Sequence, residues 1–226
     1  MGVDLVVARY GEDTAWLRNI ATGVRAAVYN KGTPGAWTGE ILLPNSGREA
    51  HTYLHHIVEN YGTLAGTTVF CQGKPFDHAF DFHGSLARIY QQSIADKSGF
   101  EWLGHIIDTD DARGSVLFQS WSKNPEKHPL DMARFWGRLF DGNCPERFTF
   151  ACGAQFAATR ELILRRPRDF YERARDLSLS HPDAPHFFER VWNHVLGVPG
   201  FAPGFLAGRE TIYLKPIRRI LDGSSG

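Results

Sequence analysis

The chain is short of cysteine, of methionine and of net charge. Its 226 residues hold three Cys and two Met, and 25 Lys plus Arg offset 25 Asp plus Glu. Cys71, Cys144 and Cys152 are too few for a disulfide framework, which points to a reducing compartment and a cytoplasmic location. The even charge balance supplies no field to recruit nucleic acid or an acidic membrane, so neither is an expected partner. No apolar run approaches the length of a bilayer span. No leader is expected, because Asp4 interrupts the N-terminus before any long apolar stretch. Internal repeats, low-complexity tracts and long linkers are also missing, which fits one domain over residues 1–222. Residues 223–226, G-S-S-G, read as a flexible tail or a cloning remnant.

Aromatic residues are plentiful, with 16 Phe, 7 Tyr and 6 Trp. They fill a core, or they wall a pocket that stacks a ring. Apolar strands are expected at Leu5–Ala8, Val24–Tyr29 and Thr67–Gln72. Arg9–Asp13 forms a turn after the first strand, and Thr14–Ile20 starts a helix. A second helix follows Leu42–Gly47. Ser46 and Glu49 match a capping box, and Tyr53, Leu54, Ile57, Val58 and Tyr61 make one apolar stripe. Gly84–Ser93 reads as helical. T-D-D-A-R-G reads as a turn and S-K-N-P-E-K-H-P as an exposed loop. Phe148–Ala158 is an apolar, small-residue run. Arg160–Leu177 reads as a charged helix interrupted at Pro167, and Phe187–Leu196 as an aromatic helix ending at Gly197. Strands alternating with helices imply an α/β fold: a mixed, mostly parallel central sheet flanked by helices.

The strings V-V-A-R-Y-x-E-D-x-x-W-L, N-x-G-R-E-x-x-T-Y-L-x-x-I-V-x-N-Y, T-V-F-x-Q-G-x-P-F-D-H and F-F-E-R-V-W resemble an uncharacterised bacterial and fungal family, a domain of unknown function. The order of parts is also similar to the GT-A type of nucleotide-sugar glycosyltransferase. In that fold a first strand ends beside the nucleotide and a later strand ends in an acidic Asp-x-Asp motif. A carboxyl-terminal segment supplies a carboxylate. The resemblance implies a nucleotide-sugar donor, an acceptor hydroxyl from a carbohydrate or another molecule, and Mn²⁺ or Mg²⁺.

Candidate residues follow. The loop after Thr67–Gln72 has no true Asp-x-Asp, but Asp77, Asp81 and His83 are expected to hold the metal, with Asp81 also catalytic; Asx-turns and a loop histidine are the plainer alternative. Arg48, at a helix start, supplies a planar charge for a phosphate, while capping already accounts for Glu49. Arg9, Glu12 and Asp13 face the nucleotide in the analogous fold, and Asp13 is equally suited to cap a helix; Gln72 closes the strand beside them. Glu189, on the aromatic helix, is the expected base for the acceptor hydroxyl, with a contact to Arg190 as the structural alternative. His51 and His55 are four apart, but Thr52 stands where a zinc protease needs Glu. Gln155 bonds a substrate or a nearby backbone. Cys152 has no adjacent basic partner to make it a nucleophile. A metal-dependent hydrolase using the Asp/His loop, or a carbohydrate-binding protein without catalysis, are the other readings.

Overall fold

The computed structural model describes residues 2–35, 37–121, 123–202 and 204–214; residues 223–226 lie outside them. Short runs with Val at their core form the strands β1 (Val3–Arg9), β2 (Val24–Asn30) and β4 (Thr67–Gln72), and a two-residue edge strand, β3 (Ile41–Leu42), lies beyond β2. Branched side chains suit a pleated surface buried on both faces. These strands pair in parallel, with Val7 opposite both Val28 and Cys71. Beyond β4 the sheet becomes mixed. There β8 (Phe156–Thr159) runs antiparallel to β4, and β5 (Phe100–Trp102) runs antiparallel to β8. The order is β3-β2-β1-β4-β8-β5. A second, antiparallel sheet places β6 (Ile106–Asp111) between β7 (Arg147–Ala151) and β9 (Thr211–Tyr213).

The two-residue period of the strands sorts the core into two layers. Val6 and Phe70 face the helices α1 (Arg48–Glu59), α3 (Met132–Leu139), α5 (Arg168–Leu179) and α6 (Ala184–Val195). Leu5, Val7, Val69 and Cys71 face Phe82, Leu86 and Ile89 of α2 (Phe82–Gln92). The pattern over 160–177 divides at Pro167, as expected. It gives α4 (Arg160–Ile163), whose N-terminus is capped by the Thr159 hydroxyl, and then α5.

Three local expectations are corrected. The capping box does not form: Gly47, at φ 66°, is the residue before α1, and no side chain caps that end. Ser46 sits one residue too far out. The T-D-D segment is strand, not turn, because Asp108–Asp111 pair along β7 and the chain turns only after Asp111. The apolar run 148–158 is two strands of different sheets. They are parted at Gly153 and Ala154, which take φ values of 86° and 53°.

Phe156 is fully buried and lies 4.8 Å, ring to ring, from both Phe70 and Trp192. Phe156→Ala should therefore destabilise the protein by about 3–5 kcal/mol in urea unfolding. Leu42→Ala, on a sheet edge where the side chain is 57% exposed, should change stability by less than about 0.5 kcal/mol.

Candidate functional site

From β1 the chain builds outward to β2 and β3 on one side, then crosses back to place β4 on the other. The connections diverge at the β1–β4 gap, and a crevice must open outside the carboxyl ends of these two strands. A cavity of about 780 Å³ lies there. Arg9 and Tyr10 enter it from the end of β1 and Gln72 from the end of β4. Arg48 and Glu49 enter from the start of α1, and Asp108 from β6. Phe118 and Trp121 line it from the loop after β6, and His186, Glu189 and Arg190 line it from α6, with the His186 ring packed against both aromatics.

The expected nucleotide residues Arg9, Glu12, Arg48 and Gln72, and the expected base Glu189, thus meet in one cavity. Asp13 does not line it. Its carboxylate accepts the Ala15 N–H at 2.8 Å, a local turn bond ahead of a short 3-10 helix over Ala15–Asn19. Glu12 lines it but also folds its own turn, accepting the N–H groups of Tyr10 at 2.7 Å and Gly11 at 3.1 Å.

Asp77, Asp81 and His83 do not line this cavity. A 3-10 turn at Pro75–Asp77 rotates the loop so that His78 enters the cavity instead. Exposed Asp77 pairs with Lys74 at 3.0 Å. Asp81 sits exposed at the start of α2, outside the cavity. His83 packs its ring against Trp16 and Phe76. Among the described residues, no group of three or more His, Cys, Asp or Glu is arranged to hold a metal.

The acidic pair of the site is Asp108 and Asp110 on β6, two residues apart and so on one face of the strand. The sequence signal was available: D-T-D directly follows the branched pair Ile106-Ile107. Asp110 is wholly buried and saturated with donors. Its Oδ1 accepts the N–H groups of Asp111, Val116 and Leu117 at 3.0–3.1 Å. Its Oδ2 accepts the Phe118 N–H at 3.0 Å and the Arg190 guanidinium, Nη2 at 2.6 Å and Nε at 3.1 Å. Asp108 accepts the Thr211 hydroxyl at 2.8 Å and its own following amide at 2.9 Å, both through Oδ1. Among the described residues, its Oδ2 meets the Cys152 thiol, at 3.9 Å, and no other donor.

Around Arg48 the backbone is unusual. Gly47 and Arg48 both lie in the left-handed region, at φ 66° and 46°. The buried Lys31 ammonium holds this turn, donating to the carbonyls of Ser46 at 2.5 Å and Arg48 at 2.6 Å and meeting His51 Nδ1 at 3.2 Å. The Arg48 guanidinium lies 5.7 Å from the Trp121 ring and 3.4 Å from His186 Nε2. Burial, helped by Arg48 and Arg190, pushes the His186 imidazole down to about 3, so it is neutral there. Glu49 has its carboxyl pushed up, chiefly by burial, with Arg48 opposing and Glu189 adding to the rise. Glu189 Oε1 accepts the Gly153 N–H at 2.8 Å, and Arg190 stands 3.8 Å from its other oxygen. Gly153 admits no side chain, because a Cβ would sit 2.5 Å from the His78 ring. Gln155 is structural, donating to the Pro75 carbonyl at 2.9 Å. Burial raises the Cys152 thiol far above its ordinary value, which leaves it protonated and a poor nucleophile.

The sequence profile of a family described as "Protein of unknown function (DUF3431)" matches residues 5–199. The chain belongs to this family. No curated protein and no solved structure matches it. The matched span of this DUF3431 chain includes the carboxyl-terminal part of β1, β4, the β6 acidic pair and α6, and therefore nearly all of the cavity.

Two outcomes are expected. Asp110→Asn leaves the Arg190 charge buried without its partner and should destabilise by about 3–5 kcal/mol, read from urea midpoints. Lys31 gives a pH signature. Burial, opposed by Glu49, pushes its ammonium from 10.5 down to about 8. The folded chain thus holds this proton less tightly than the unfolded chain. Between pH 8 and 10.5 the unfolded state carries the extra proton, so this residue makes stability rise with pH across that window. The wild-type curve minus that of Lys31→Met should show the rise, about 3 kcal/mol at most.

Proposed function

We propose that this protein is a glycosyltransferase-like enzyme. It binds a nucleotide-diphosphate sugar at the β1–β4 switch point and passes the sugar to an acceptor hydroxyl. The observation that carries this reading is the meeting, in one cavity, of the cations Arg9 and Arg48 with the backbone-anchored carboxylate of Glu189. Sugar transfer makes two demands. Negative charge must be held as the bond between the anomeric carbon and the diphosphate breaks, and the acceptor must lose a proton as its oxygen bonds that carbon.

Here the electron pair leaves with the diphosphate toward Arg48 and Arg9, and the acceptor proton goes to Glu189. The Gly153 N–H fixes which way that carboxylate points. Tyr10 and Trp121 offer flat faces for a base or a sugar ring. The mixed sheet flanked by helices, with its crevice at a switch point, is in keeping with the GT-A resemblance, which enters as analogy.

Thermal-shift measurements with UDP-, GDP- and dTDP-sugars test the reading. At least one is expected to raise the melting temperature, and transfer to an acceptor should follow with that donor. Glu189→Gln should keep the donor-induced shift and lower turnover by about 10²–10⁴-fold. No stabilisation by any donor would overturn the assignment. Phosphoester or amide hydrolysis without transfer would favour the hydrolase instead.

A further inference from the structure

The GT-A resemblance brings with it a divalent ion on the acidic pair, and the residues at Asp108 and Asp110 do not fit one. A carboxylate offers about four lone-pair positions. Asp110 already meets six donors: four backbone N–H groups and two of the Arg190 guanidinium. None of its lone pairs is left for a metal. Asp108 has spent Oδ1 on Thr211 and on the Thr109 amide, and keeps one oxygen toward the cavity. An ion there would also meet the fixed positive charge of Arg190, which is 2% exposed and lines the same cavity.

We propose that Arg190 is the permanent cation of this acidic pair, and that a bound diphosphate is neutralised by side chains, chiefly Arg48, without a divalent metal. The proposal rests on the transferase reading for its ligand. Arg48 is a cation of the cavity with room for a ligand. Its side chain is 47% exposed, and its nearest carboxylate, Glu49, is 3.9 Å away. His186, facing it as a neutral ring, does not compete for the phosphate by charge. Arg9 is more committed, with Nε on the Glu12 carbonyl and Nη1 on that of Thr33, which leaves Nη2 for a ligand. A guanidinium offers a planar pair of donors to phosphate oxygens, whereas the acidic pair offers a metal only the second oxygen of Asp108.

Calorimetric titration of the full chain with UDP, GDP, dTDP and inorganic pyrophosphate, in EDTA and in excess Mn²⁺, tests this. At least one probe should bind with a Kd that differs by no more than about twofold between the two buffers, while Arg48→Gln weakens it by about tenfold or more in both. Binding that is about tenfold weaker in EDTA overturns the proposal. If no probe binds in either buffer, the transferase reading falls, and the assignment of Arg190 is decided by Mn²⁺ electron paramagnetic resonance on the protein alone. An aquo-ion signal left at full amplitude supports it. A signal quenched by the wild-type chain and restored by Asp108→Asn overturns it.

Discussion

The ion pair between Asp110 and Arg190 is the constraint on which the cavity depends. Both side chains are almost wholly out of water, so each charge has given up a large hydration energy that its partner and the surrounding donors must offset. Oriented backbone amides and a forked guanidinium do this at one carboxylate. That carboxylate joins β6, the loop through Phe118 and the middle of α6. Three walls of the cavity are therefore placed by a single group. Glu189, next along α6, inherits its position from this anchor and receives its final orientation from the Gly153 amide.

The sheet sets the rest. Parallel strands that diverge from β1 leave a crevice at the β1–β4 gap, and whatever lies at the ends of those strands is presented to it. The mixed edge has a consequence for the site. Because β8 runs back along β4, the turn before it, Cys152–Gln155, lies at the same end of the sheet as Gln72. Two left-handed residues in that turn bring the Gly153 N–H round to Glu189 and leave room for His78.

Much of the frame was legible in the sequence. Apolar runs marked β1, β2 and β4, the stripe from Tyr53 to Val58 marked α1, and Pro167 marked a helix boundary. These signals are local: a period, a branched residue, a missing N–H. Arg9, Arg48 and Gln72 were likewise brought to the cavity by the rule that chemistry gathers at strand ends and helix starts, and Glu189 by standing as a carboxylate on an aromatic helix. The failures share a cause. Asp110 looked like part of a turn because, the Asp111 amide apart, its donors are six to eight residues ahead and, for Arg190, eighty away. Asp77, Asp81 and His83 looked like ligands because spacing in an extended segment would align them, yet a short 3-10 turn changed which side chain faces inward. Ser46 looked like a cap because the pattern was right by one residue, and the left-handed Gly47 moved the helix start.

That left-handed turn has a further meaning. Holding a residue with a side chain in this region costs on the order of 1–3 kcal/mol, and Arg48 is held there by the packing of α1 below it and by the Lys31 ammonium beside it. A glycine at this position would relax the backbone and make a sturdier protein with a blunted cavity. The arginine is thus a place where resilience is given up for reach, and any attempt to harden this fold by removing its awkward backbone angles would begin by disarming it.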